Sequence, residues 1–333
     1  MGEGFHHFVV GGDHRGTRFD RAVAVQCPEL SRTRVQELIE EGLALLNGKA
    51  AKGSHKVRAG DVIEVVAQER PALRAEPENI PLEILYEDED LLAVNKPAGM
   101  SVHAGAGNSH GTLVNALLGR GQALSQGGDA LRPGIVHRLD KETSGIVLVA
   151  KNDFAHAKLS EAFRARTIQK IYIALVQGEL KEERGRIELA IARDPKRRTR
   201  MTARRAELLA NARAARTDWR VLCRIDAAML LEVTLHTGRT HQIRVHFAAL
   251  RHPIVGDTLY GATAGFHAGR AKLPALGRNF LHAAKIAFAQ PRTGESIQLS
   301  APLPTELRSY LSRLAAVVGD NPARIDAALK GFL

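Results

Sequence analysis

The sequence predicts an α+β protein: a large domain built on a mainly antiparallel mixed sheet, preceded by a small α/β module. Three observations carry this. Apolar runs of strand length outnumber helical patterns, and no regular strand–helix–strand repeat links them. Residues 67–81 (AQERPALRAEPENIP) combine three prolines with many charges, the composition of a connector between folding units. The 333 residues allow about two domains of roughly 150 residues each.

Composition narrows the function. The chain is 44% hydrophobic and 25% charged, as globular proteins are. No apolar run approaches the ~18 residues of a membrane span, and MGEGFHHFVV carries no secretory pattern. Two distant cysteines, Cys27 and Cys223, exclude a disulfide-dense scaffold and a Cys-rich zinc module, and they fit a reducing cytoplasm. Lysine and arginine number 47 against 36 acidic residues, a net charge of +11. That balance favours a polyanionic partner, nucleic acid before an acidic membrane surface. A basic surface kept for solubility is the plainer alternative.

Residues 17–66 form the small module. Ser31 is placed to cap a helix with the stripe Val35, Leu38, Ile39, ended by Gly42. Arg32 and Arg34 occupy its first turn, where the helix dipole disfavours cations, so they are candidate RNA contacts. Asn47-Gly48 and Gly60-Asp61 mark turns, and residues 62–66 a strand. The large domain spans 82–303. Residues 91–94 read as a strand ending at the turn Lys96-Pro97-Ala98-Gly99, and 146–149 as a buried strand. Residues 155–167 read as a helix with Leu159, Ala162 and Phe163 inward. Strands follow at 171–176 and 231–235, the latter alternating apolar and polar residues. Residues 304–333 are expected to form a peripheral helical tail.

The densest polar segment, Gly134 to Gly145, contains His137-Arg138-Leu139-Asp140-Lys141 between two apolar runs. Arg138 and Lys141 flank Asp140, and nearby cations favour an ionised carboxylate. Such a group can attack or stabilise an electron-poor sugar carbon. A salt-bridged turn explains the same residues. A second constellation, Thr237 to His246, offers Arg239, His241 and Gln242 as phosphate or base contacts and Arg244 as a carboxylate partner; a polar strand end is the plainer account. No ligand set completes a metal site around His241 and His246. Tyr172 is either a core-edge residue or a stacking platform for an unstacked base. The basic run Arg193 to Arg205 reads equally as a solvated loop or a phosphate track.

HRLDKETSG, the K-x-Y at 170–172, TGRTHQIRVH and HPIVGDTLYG together resemble the RluA/RluD-type family of RNA pseudouridine synthases over residues 82–303. Residues 17–66 resemble the S-four-type RNA-binding module that often precedes that domain. The segments 102–108 and 111–117 are most similar to the RluD branch, whose members modify large-subunit ribosomal RNA. Ala104 and Trp219 depart from the proline and tyrosine expected there.

The resemblance implies that Asp140 is the essential aspartate, that Tyr172 stacks on uracil, and that Arg244 pairs with Asp140. It implies that Ile243 lines the base pocket and that Arg138 helps hold the RNA around a flipped uridine. Lys96, Pro97 and Gly99 would buttress the active-site loop. Uridine and pseudouridine are isomers, so no cofactor or metal is demanded, and neither a G-x-G-x-x-G fingerprint nor a P-loop is present. The expected partner is RNA, as free large-subunit ribosomal RNA or within a ribosomal subunit. No membrane partner is expected, and the protein is read as a cytoplasmic monomer. Two other readings stay open: a non-catalytic RNA-binding or assembly factor, and a glycosidase using Asp140 and Glu142.

Overall fold

The structure is a computed structural model that describes residues 4–27, 30, 32–67, 75–104, 110–121, 123–127, 132–197, 199–209, 211–263, 265, 267–268, 271–272 and 275–332. The chain divides into two compact units, 1–74 and 75–333. In the first, β1 (Gly4–Val9), α1 (Phe19–Gln26), α2 (Arg32–Glu40), β2 (Ala44–Leu46), β3 (Lys49–Ala50) and β4 (Val62–Ala67) build an antiparallel sheet of order β1-β4-β2-β3. Its core joins Phe19 and Val23 of α1 to Val35 and Leu38 of α2 and to Ile63 and Val65 of β4. Beyond α2, Gly42 takes a φ of +72°, and Leu43 N–H donates to the Leu38 carbonyl at 2.8 Å, closing the helix as expected. The predicted cap Ser31 lies outside the described residues. So do the side chains of Arg32 and Arg34, whose backbone opens α2.

The second unit contains β5 (Glu83–Glu87), β6 (Leu91–Lys96), α3 (Leu113–Gly119), β7 (Ser144–Ala150), α4 (Asp153–Ala165), β8 (Gln169–Gln177), β9 (Arg184–Ile187), β10 (Ala190–Arg193) and β11 (Met201–Arg204). There follow β12 (Thr217–Ile225), β13 (Ala228–Leu235), α5 (Gln242–Ala249), the two-residue strands β14 (His267–Ala268) and β15 (Ala271–Lys272), β16 (Leu281–Ala289), β17 (Ser296–Ser300), α6 (Thr305–Val318) and α7 (Pro322–Leu329). The main sheet runs β5-β6-β7-β16-β8-β13-β12-β9, with β17 beside β16. Every ladder in it is antiparallel except β7–β16. This is the mixed, mainly antiparallel α+β architecture the sequence predicts.

Both faces of the central strands are covered, which explains the unbroken apolar runs. Leu92, Val94, Val147 and Val149 join one core, while Leu91, Ala93, Ile146 and Leu148 join a second with Ala155 and Leu159 of α4. Gly145 sits at the parallel junction with φ +113°, and a Cβ there would collide with the Ala283 backbone. Only glycine lets β7 approach β16 directly after the Asp140 loop.

Four expectations change. The helix expected at 155–167 begins two residues earlier, because the Asn152 side chain accepts the Ala155 N–H at 2.9 Å and caps it. The segment Thr237 to His246, for which a polar strand end is the plainer account, instead runs through a turn into the helix α5, which starts at Gln242. The C-terminal helices are not peripheral: Leu307, Tyr310, Leu311, Leu314 and Leu329 belong to the main core. Part of the expected connector is tied down as well. Asn115 Nδ2 donates to the Glu76 carbonyl at 2.8 Å, and Glu78 N–H to the Asn115 carbonyl at 2.9 Å, pinning 76–78 to α3. Residues 68–74 lie outside the described set.

Two fully buried histidines set an acid limit on stability. Burial lowers both His246 and His282 to about 4, against an ordinary 6.5. Between those values the unfolded chain binds more protons than the folded one, so stability is complete above pH 6.5 and declines as pH falls toward 4. The urea midpoint is expected to drop between pH 7 and pH 5; an unchanged midpoint would show that these rings are not buried neutral.

Candidate active site

The Asp140 loop leads into β7 and is braced from below. Lys96, fully buried at the end of β6, donates to the carbonyls of Pro97 at 2.8 Å, Met100 at 2.8 Å and Lys141 at 3.1 Å. Three carbonyl acceptors suit an ammonium with three N–H donors. Burial draws Lys96 down to about 7, while the fields of Glu142 and Asp140 act the other way. Gly99 N–H donates to the Lys141 carbonyl at 2.9 Å. One cation thus joins the turn at 97–100 to the turn that follows Asp140.

Asp140 faces a cleft of about 520 Å³. Arg244, on α5, donates from Nη1 to Asp140 Oδ2 at 3.0 Å. The rest of its fork is held by Asp257: Nε to Oδ2 at 2.6 Å and Nη2 to Oδ1 at 2.9 Å. Asp257 is 1% exposed, Arg244 9% and Asp140 18%, so the array opens toward the cleft at Asp140. Burial works to lower the Arg244 pKa, but the two carboxylates outweigh it and the net shift is upward. The guanidinium carbon also lies 5.1 Å from the centroid of the Tyr260 ring.

Tyr172 and Ile243 line the same cleft and are both buried. Tyr172 is registered against Val233 of β13 and Ala283 of β16, so two neighbouring strands fix its position. Burial, reinforced by Asp140, pushes its phenol pKa up and keeps it neutral. Arg138 and Arg239 lie at the cleft, with Lys170, Arg164 and Arg166 beside them. Arg239 Nε donates to the Ala214 carbonyl at 3.3 Å. Burial pushes Lys170 down to about 8. His241 Nε2 lies 3.9 Å from Asp140 Oδ1.

The structure therefore brings together Asp140, Tyr172, Arg244, Arg138, Arg239, His241 and Ile243. Gln242 receives a different task from the expected RNA contact. Its Oε1 accepts from Thr237 Oγ1 at 2.6 Å and from Arg239 N–H at 3.1 Å. Its Nε2 donates to the Arg216 carbonyl at 2.9 Å and to Thr217 Oγ1 at 3.0 Å. With its amide occupied, Gln242 shapes the 237–242 turn. Glu142, the second carboxylate of the glycosidase reading, is not among the residues lining the cleft. Asp257 and Tyr260 are the residues that sequence reasoning did not single out; both fall within HPIVGDTLYG. Among the described residues no group of three or more His, Cys, Asp or Glu could hold a metal ion. No described helix is long and apolar enough to cross a membrane.

Comparison with known proteins gives this arrangement a context. The family model for RNA pseudouridylate synthase matches residues 90–249, and that for the S4 domain matches residues 17–63. The ribosomal large subunit pseudouridine synthase D of Xanthomonas campestris is 42% identical, over 92% of this chain and 91% of the relative. An uncharacterized RNA pseudouridine synthase of Bacillus subtilis is 40% identical, over 91% of this chain and 95% of the relative. The solved structure of human RNA pseudouridylate synthase domain containing 4 aligns with a TM-score of 0.54 at 25% identity, covering 69% of this chain and 92% of that one. On fold, on motifs and on overall likeness, this chain belongs to the RNA pseudouridine synthases, the isomerases that convert uridine to pseudouridine.

Proposed function

We propose that this chain isomerises uridine in large-subunit ribosomal RNA, with Asp140 as the catalytic aspartate. The carrying observation is the Arg244–Asp140 contact of 3.0 Å at the wall of a cleft that also presents Tyr172. The volume suits one extruded nucleotide. Flipping costs a few kcal/mol, and stacking on an aromatic ring returns about 1–3 kcal/mol. Arg244 holds one Asp140 oxygen and leaves the other for the substrate. The carboxylate acts at C1′ as the N1–C1′ bond breaks. Uracil turns, C5 bonds to C1′, the C5 proton leaves, and N1 takes one up.

Arg138, Arg239 and their neighbouring cations hold the flanking phosphates, in keeping with the net charge of +11. The likeness to the Xanthomonas relative, a ribosomal large subunit pseudouridine synthase, supports the ribosomal target. In this reading residues 82–303 carry the chemistry, while 17–66, with Arg32 and Arg34, recognise RNA. The protein works as a cytoplasmic monomer on free RNA or within a ribosomal subunit.

The test is tritium release from RNA labelled at uridine C5. Release is expected from large-subunit RNA and not from small-subunit RNA; the reverse would overturn the target. A chain of residues 75–333 is expected to fold and to bind RNA more weakly than the full protein. Equal affinity would remove the first unit from recognition.

A further inference from the structure

His241 is fixed through both its backbone and its ring, which meets the Tyr260 ring edge-on at 5.6 Å between centroids. It precedes α5 with φ +56°, a left-handed conformation that costs a non-glycine residue energy. Its Nδ1 lies 2.8 Å from the Tyr260 hydroxyl, and that oxygen already accepts the Met201 N–H at 2.9 Å. Tyr260 is 4% exposed, so its own proton needs an acceptor within the protein. His241 Nδ1 is the acceptor on hand. The imidazole proton then sits on Nε2. Nε2 faces Asp140 Oδ1 at 3.9 Å, beyond hydrogen-bond length, while Oδ2 is the oxygen that Arg244 holds.

We propose that His241 donates its Nε2–H to a carbonyl oxygen of the flipped uracil beside Asp140, and that Tyr260 is a positioning residue that fixes the imidazole tautomer. This rests on the reading of Asp140 as the catalytic aspartate. When the N1–C1′ bond breaks, the departing base carries the electron pair, and the charge spreads onto its carbonyl oxygens. A neutral donor fixed beforehand stabilises that charge without forming a rival ion pair with Asp140. A protonated His241 would instead close on Oδ1 and occupy the oxygen needed at the sugar.

The surroundings keep the ring neutral. Burial lowers the His241 pKa, as do Arg244 on α5 and Arg138 on the Asp140 loop; Asp140 and Asp257 act in the opposite sense. The Tyr260 hydroxyl bond also favours the neutral form. Arg200 stacks on the Tyr260 ring, its guanidinium carbon 5.2 Å from the centroid.

The test uses the full-length protein in single-turnover tritium release with saturating RNA. His241→Met removes the donor with little change in bulk, and is expected to slow the chemical step by about 10²-fold with RNA affinity nearly unchanged. His241→Gln, whose amide nitrogen takes the place of Nε2, is expected to recover most of that loss. Tyr260→Phe frees Nδ1 and removes a bond that favours the neutral ring, so its rate should fall more steeply than that of wild type as pH drops from 8 to 6. Adding His241→Gln to Tyr260→Phe should abolish that extra decline.

Equal slowing by Met and Gln, a loss confined to affinity, or a pH profile of Tyr260→Phe matching wild type would overturn the proposal. None of these outcomes touches the role of Asp140, which stands or falls on its own substitution.

Discussion

Asp140→Asn is expected to abolish tritium release while leaving RNA bound. The amide preserves the shape of the side chain and removes its charge. Arg244 then loses the anion on its Nη1, yet Asp257 still holds Nε and Nη2. The fold therefore has no reason to collapse. RNA affinity should change little, because cations around the cleft, among them Arg138, Arg164, Arg166 and Arg239, are untouched. The rate should fall by about 10⁴-fold or more, the scale seen when an essential charged group is removed from a cooperating set. Turnover within tenfold of wild type would remove Asp140 from its role.

Asp257→Ala is expected to cost both stability and activity. Asp257 is 1% exposed and takes two of the three hydrogen bonds that Arg244 makes to carboxylates. Removing it leaves a buried guanidinium half paired, a change worth about 3–5 kcal/mol. The freed fork then rotates and Asp140 loses its fixed orientation, so the rate should drop as well. Denaturant unfolding and tritium release, measured on the same preparation, read the two effects. A stability loss below about 1 kcal/mol would mean that water or another group replaces Asp257.

The contrast between these two aspartates shows what the sequence could reveal. The strands were legible because burial on both faces leaves unbroken runs such as Leu91 to Val94 and Ile146 to Val149. The Asp140–Arg244 pair spans 104 positions, and no local pattern predicts it; only the combination of motifs does. Asp257 lies in an irregular stretch before a single 3₁₀ turn, where periodicity carries no information. Helix α5 was hidden by the polar start Thr237 to Gln242 and by its length of eight residues. The stripe Leu307, Tyr310, Leu311, Leu314 has the spacing of a helix with a buried face. That spacing, and not the helix's place near the end of the chain, is the signal that it belongs to the core. Gln242 shows a second limit, since the hydrogen bonds that tie its amide to the 237–242 turn and across to Arg216 and Thr217 leave no mark in the local sequence.

The placement of β16 bears on the order in which the protein matures. It lies between β7, which follows the Asp140 loop, and β8, which carries Tyr172, yet it comes more than a hundred residues after either in the chain. During synthesis the first unit emerges whole by residue 74. The two halves of the cleft wall have no strand to join them until residue 289 has left the ribosome. A nascent chain is therefore dormant for most of its synthesis, and catalytic competence arrives late and all at once.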